Sequence, residues 1–232
     1  FMSLNQYSDQ HNLYQPDEFK DNCGFGLIAH THGEASHDLV QTAIHSLSCM
    51  THRGGVAADG KTGDGCGLLI ATPKAFFKKI AVDNGFTLNE IFAVATVFVS
   101  LDKTEAQHSQ NVLTEAVESQ GLVVAGWRDV PVDLRIVGDI ARESLPAFKQ
   151  ILVNCPAHMD EAAFNRKLFV ARRQAEILLK DDPLFYVTSL TSQVVVYKGL
   201  VMPADLPAFF LDLQDERLMS HIVVFHQRFS TN

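Results

Sequence analysis

Cys23 is the residue in this chain with the most chemical potential. The polar, acidic stretch FMSLNQYSDQHNLYQPDEFKDN precedes it, and the glycine-bearing run CGFGLIAHT begins with it. Cleavage after Asn22 would give this cysteine a free α-amino group. An α-amine has a pKa of about 7.7–8.0 and a thiol about 8.5, so the amine can accept the thiol proton near neutrality at little cost. A cysteine placed first in a chain thus carries its own base and needs no separate histidine. The same pattern also permits a plainer reading, a small apolar residue packed at a strand start.

The other thiols invite ordinary explanations. Cys49 is expected on the apolar face of a helix, and Cys155, just before Pro156, at a strand end; both read as small core residues. Cys66 sits in GDGCG, where flanking glycines would let a ligand approach the backbone, although a tight strand entry is the simpler account. Four cysteines without a CxxC pair in 232 residues do not make a disulfide scaffold and suit a reducing cytoplasm. His30 and His32, and His45 and His52, lack a carboxylate or thiol at metal-ligand spacing and read as solvated or capping residues.

Residues 55–62, GVAADGKT, satisfy the phosphate-loop pattern GxxxxGK[ST] letter for letter. That motif needs a strand before it and a helix after it, so that the helix N-terminus faces the phosphates. Here the expected order is helix, loop, strand. Lys61 and Asp64 are therefore expected to shape the loop rather than hold a nucleotide.

The elements that must position these residues follow from periodicity. Residues 23–31 read as a short buried strand; a helix capped near Ser36 or Asp38 follows, with Leu39, Ile44, Leu47 and Met50 at helical spacing, ending at THRGG. Strands are expected at 67–72, 91–99, 122–128, 150–154 and 222–226, and helices after Pro73, at 103–120 and at 161–180. Residues 185–190 and 194–197 read as a hairpin, and Pro203 and Pro207 punctuate a short turn or helix. The alternation fits α/β or α+β sheets covered by helices.

Composition narrows the partners. With 27 acidic against 19 basic residues and a net charge of -8, the chain lacks the basic face that nucleic acid or an anionic membrane would need. The N-terminal stretch has no apolar core of the secretory kind, and no run approaches the roughly 20 apolar residues of a membrane span.

Four segments resemble a known family: DNCGFGLIAH at 21–30, HRGGVAADGKTGDGCGLLI at 52–70, GWRDVP at 126–131 and FHQRFSTN at 225–232. Together they are similar to the large subunit of bacterial glutamate synthases. That resemblance implies a class II glutamine amidotransferase domain with the N-terminal nucleophile hydrolase fold, an α+β, four-layer αββα arrangement of two mainly antiparallel sheets between helices. It implies that residues 1–22 are a leader, that 23–232 is the N-terminal part of the amidotransferase domain, and that Cys23 is the catalytic residue of the mature enzyme. It further implies that Arg228 and Thr231 hold the α-carboxylate of L-glutamine, with Arg53 of HRG assisting near the site. The family's oxyanion Asn-Gly pair and its aspartate for the substrate amino group would lie beyond Asn232, so a truncated fragment is expected to be at best feebly active. No cofactor is expected in this fragment; FMN and an iron–sulfur cluster belong to the full-length subunit, whose expected partners are its remaining domains and a glutamate synthase small subunit. GKTGDGCG and GWRDVP favour this family over other class II amidotransferases, and a non-catalytic fragment of the same fold is the rival of a different kind.

Overall fold

The computed structural model describes residues 24–227. Residues 1–22, expected as a leader, and Cys23, Arg228 and Thr231 thus lie outside the described residues.

Two four-stranded antiparallel sheets organise the chain. In the first, strands run in the order β1 (Gly24–Ala29), β8 (Ile222–Gln227), β2 (Cys66–Ala71) and β7 (Val194–Gly199); in the second, β4 (Val123–Asp129), β5 (Ala147–Asn154), β3 (Phe92–Val99) and β6 (Tyr186–Val187). Strand β3, FAVATVFV, is buried at all but one position, as a run covered on both faces must be. Its residues Ala93, Ala95, Val97 and Val99 pack under α3 (Lys103–Ser119) and α5 (Glu161–Leu178), while Phe92 and Val94 join a second core with α1 (His37–Cys49) and α2 (Lys74–Asp83). Short helices α4 (Asp139–Arg142) and α6 (Leu206–Phe209) lie in the connections. Antiparallel sheets carrying helical layers are the α+β arrangement of the N-terminal nucleophile hydrolase fold.

Helix α1 begins where the sequence signals it. Ser36 Oγ accepts the Leu39 N–H at 3.1 Å, satisfying one of the orphan donors of the first turn. Leu39, Val40, Ala43, Ile44 and Leu47 form the buried stripe that lies on the first sheet. Cys49 does not share it: two residues past Leu47, about 200° round the helix, it is exposed, contrary to the expected core position. Cys155 is buried as anticipated, and Cys66 is buried at the start of β2, the strand entry expected of it.

Two further expectations are corrected. Strand β1 is not buried on both faces: as an edge strand it leaves Phe25 77% and Leu27 59% exposed, while Gly24, Gly26 and Ile28 face the covered side. Residues 185–190 and 194–197 do not form a hairpin, because Val187 and Tyr186 pair with Val97 and Phe98 whereas Val194–Gly199 pairs with β2. The chain changes sheets between them. Asn165 Oδ1 accepts from Thr191 Oγ1 (2.7 Å) and Ser192 N (3.0 Å), and Ser192 Oγ donates to Glu161 (2.7 Å), tying that crossing to α5.

The sheets are locked together by a buried polar network. Arg128 of GWRDVP donates from Nε to Gln150 Oε1 at 2.8 Å and pairs through both terminal nitrogens with Asp212. Tyr197 of β7 donates its hydroxyl to Asp212 at 2.8 Å, and Gln150 Nε2 donates to Thr96 at 3.1 Å. The guanidinium also lies 5.8 and 5.7 Å from the ring centres of Phe76 and Phe77.

Candidate active site

The head of the first sheet brings together the CGFG, HRGG and GDGCG segments. In register, Gly24 of β1 lies opposite Gln227 of β8, which lies opposite Cys66 of β2. The start of this row is closely packed: a Cβ on Gly24 would stand 2.6 Å from the flexible end of Met50 and 3.3 Å from Arg53 Cβ, and one on Gly26 would stand 2.3 Å from the Phe225 ring. Arg53, in a 3-10 turn at Thr51–Arg53, thus lays its stem against Gly24 and remains exposed. A Cβ on Gly54 would be 2.1 Å from Gln227 Nε2, so HRGG presses its backbone onto β8.

The glycine-rich loop behind this row is held by carboxylates. Asp64 accepts the Gly55 N–H at 2.7 Å. Asp59 accepts the N–H groups of Lys61, Thr62 and Ile140 and the Thr62 hydroxyl, which hold its carboxyl far below the usual range, the hydroxyl contributing most. Thr62 Oγ1 in turn accepts the Ala141 N–H at 3.1 Å, docking the loop on α4. In a phosphate loop that hydroxyl would face a metal ion; here it is spent on Asp59 and the α4 backbone, and the loop leads into a strand. Asp64 plays the expected shaping role, and Asp59, which sequence reading passed over, does most of the work.

The titratable groups around the row differ in readiness for chemistry. The Cys66 thiol donates to Val201 O at 3.4 Å, and burial, aided by the Asp205 charge, pushes it up to about 12, which keeps it protonated and inert. His226, between Phe225 and Gln227, is held below the ordinary histidine range by burial and then by Lys198, leaving it neutral at pH 7. Gln227 is fully buried, and among the described residues neither its Nε2 nor its Oε1 has a hydrogen-bond partner. Sequence reading missed it, although a signal was there: in IVVFHQ the buried positions alternate as Val223, Phe225 and Gln227, so a polar residue stands in a core position.

Of the four residues expected at the site, the structure describes Arg53 and places it over Gly24. Cys23, Arg228 and Thr231 lie outside the described residues; the chain joins Cys23 to Gly24 and Arg228 to Gln227, the two members of one register pair.

Residues 23–232 match the family described as glutamine amidotransferases class-II. The chain belongs to the class II glutamine amidotransferases. This amidotransferase chain is 40% identical to the glutamate synthase (NADPH) large chain of Bacillus subtilis (strain 168) over 233 residues, covering 100% of this chain and 15% of that protein. It is 36% identical to ferredoxin-dependent glutamate synthase 2 of Synechocystis, covering 97% of this chain and 15% of the relative. Against glutamate synthase (NADH) of Saccharomyces cerevisiae it is 35% identical, over 98% of this chain and 11% of the relative. The amidotransferase chain therefore spans about 15% of the length of the bacterial relatives it matches.

Among the described residues no three His, Cys, Asp or Glu side chains are grouped to hold a metal ion, and no helix is long and apolar enough to cross a membrane. Of the described cysteines, Cys49 stands on α1, Cys66 on β2 and Cys155 just after β5.

Proposed function

We propose that this domain hydrolyses L-glutamine to glutamate and ammonia, using Cys23 as nucleophile once residues 1–22 are removed, and that it serves as the glutaminase part of a glutamate synthase large subunit. The observation that carries the reading is the pairing of Gly24 with Gln227, with Arg53 lying over Gly24. Cys23 precedes Gly24 and Arg228 follows Gln227 in the chain, and this adjacency to one register pair supports the reading.

The freed α-amine takes the Cys23 proton, and the thiolate attacks the glutamine side-chain carbonyl. Collapse of the tetrahedral intermediate breaks the C–N bond, and the amine returns the proton to the departing ammonia. Water, deprotonated by the same amine, then cleaves the γ-glutamyl thioester and restores the thiol. Arg228, with a guanidinium suited to a two-point grip, and Thr231 hold the substrate α-carboxylate, while Arg53 braces the strand start.

In the full-length protein the ammonia passes to further domains, where FMN and an iron–sulfur cluster supply the electrons for amination of 2-oxoglutarate, alongside a small subunit. Cys49, Cys66 and Cys155 stand on separate elements, which supports assigning the cluster to those further domains. A cytoplasmic setting agrees with Cys49, Cys66 and Cys155 as free thiols.

Cys23→Ala in the full-length protein is expected to abolish glutamine hydrolysis, and a diazo-ketone glutamine analogue is expected to add its mass to the peptide beginning at Cys23. Turnover of the Cys23→Ala protein at the parent rate would overturn the assignment.

A further inference from the structure

The helical layer over the second sheet is apolar on the side that faces water. Helix α5 turns Phe164, Leu168, Ala171 and Ala175 inward, so its opposite stripe should be polar. That stripe instead carries Phe169 (63% exposed), Val170 and Ile177 (63%), with Leu178 (70%) at its edge, beside Val112 and Ala116 of α3 in a groove between the two helices. Contiguous apolar side chains left in water mark an interaction surface. Charge on this surface is divided by helix. Helix α5 bears Arg166, Lys167, Arg172 and Arg173 against Glu161 and Glu176, and Glu176 already serves both Arg172 and Arg173. Helix α3 bears exposed Glu105, Glu115 and Glu118 against Lys103 alone, and none of these three acids forms an ion pair among the described residues. Ser109 of α3 donates to Asp182, just past the end of α5, at 2.9 Å, and Gln120 donates to Gln174 at 3.2 Å. The helices therefore run antiparallel, with Glu118 level with Arg173 and Val112 level with Leu178.

We propose that this face is an interface between two copies of the chain, related by a two-fold axis that runs along the seam between α3 and α5. Such an axis lays α5 of one protomer over α3 of its partner at the same height. Arg173 then meets the partner's Glu118, and symmetry forms the reverse pair. Leu178 closes on its own copy across the axis, and Ile177 is covered by the partner's α3, which takes the apolar stripe out of water. The division of charge selects a second copy over an unrelated partner. An isologous contact needs a surface that carries its own complement, and a basic helix lying beside an acidic one is such a surface.

The test uses the full-length protein. Leu178→Cys places a thiol at the seam, and a short bismaleimide, which adds one thiol across each of its two double bonds, is expected to join two chains. The product is read as a doubled mass under denaturing conditions, above the background of the parent protein. Arg173→Glu added to Leu178→Cys sets like charges against each other at two symmetric points and is expected to cut the joined fraction about tenfold. Adding Glu118→Arg as well is expected to restore it. All three positions are exposed, so melting temperature and glutamine turnover are expected to stay at parent values, which separates loss of the interface from loss of the fold. Single chains alone from Leu178→Cys would overturn the proposal, and that is the result expected if another part of a longer polypeptide covers this face. A joined fraction that Arg173→Glu leaves undiminished, or that Glu118→Arg does not restore, overturns it equally.

Discussion

Arg128 carries a full charge into a site with 4% of its side chain exposed, and it is tolerable there because Asp212, Gln150 and Tyr197 use its donors and each other's acceptors. An ion pair so enclosed contributes little net stability when intact, yet removing one partner strands the other. Asp212→Ala is therefore expected to cost about 3–5 kcal/mol, measured as a lowered midpoint in urea. Replacing Arg128 and Asp212 together by Met and Leu is expected to cost much less than Asp212→Ala alone. An Asp212→Ala protein as stable as its parent would mean that the pair is solvated in solution. GWRDVP, which carried part of the family resemblance, thus acts by joining the sheets.

At the scale of elements, the 3-10 turn that begins HRGG and the strand that ends in Gln227 fit only because Gly54 has no side chain. A Cβ there would lie 2.1 Å from Gln227 Nε2, so Gly54→Ala must displace either the turn bearing Arg53 or the amide itself. A shift of about 1 Å at a reacting group can cost on the order of a hundredfold in rate, and a loss of that order in kcat, with circular dichroism unchanged, is expected. Gly60 is the control. It adopts φ 69° with nothing near its Cβ position, so Gly60→Ala is expected to cost about 1–2 kcal/mol in backbone strain and leave kcat intact. Equal kinetic losses in the two variants would show that the loop responds as a whole and that the Gly54–Gln227 contact is not special. The elements themselves were largely legible: the Ser36 cap, the apolar stripe of α1, the unbroken apolar run of β3 and the helix at 161–178 each follow from nearest-neighbour chemistry. The hairpin error at β6 and β7 shows where that reading stops, because strand partners are chosen by contacts such as Asn165 to Thr191 that span distant parts of the chain.

For the whole molecule, two acids buried in the main core link stability to pH. Burial drives the Cys66 thiol to about 12 and raises the Tyr197 hydroxyl well above its ordinary value, with the Asp212 charge adding to the latter. Both groups keep their protons in the folded chain at pH values where the unfolded chain has lost them. Above the ordinary thiol value the unfolded state thus binds fewer protons, and stability falls as pH rises from about 9 toward 12. For Cys66 the full effect is on the order of 4 kcal/mol, complete below the ordinary thiol pKa and lost through that window. Urea denaturation at about pH 8 and about pH 10 should show the decline, and Cys66→Ala should flatten it. An unchanged slope in Cys66→Ala would mean that the thiol titrates normally and is reached by solvent.

The sequence by itself determined what depends on residue type and short spacing. The glycine pairs, the capped helix and the reversed order around GVAADGKT were all readable, because chain connectivity and local periodicity dictate them. Tertiary structure decided which segments meet: that Arg53 lies over Gly24, that Asp59 rather than Lys61 organises the loop, that Cys49 faces water, and that Gln227 is buried without a partner among the described residues. These depend on which strand lies beside which and which face a helix covers, and that choice is made by the summed burial of residues far apart in sequence, which no local window contains.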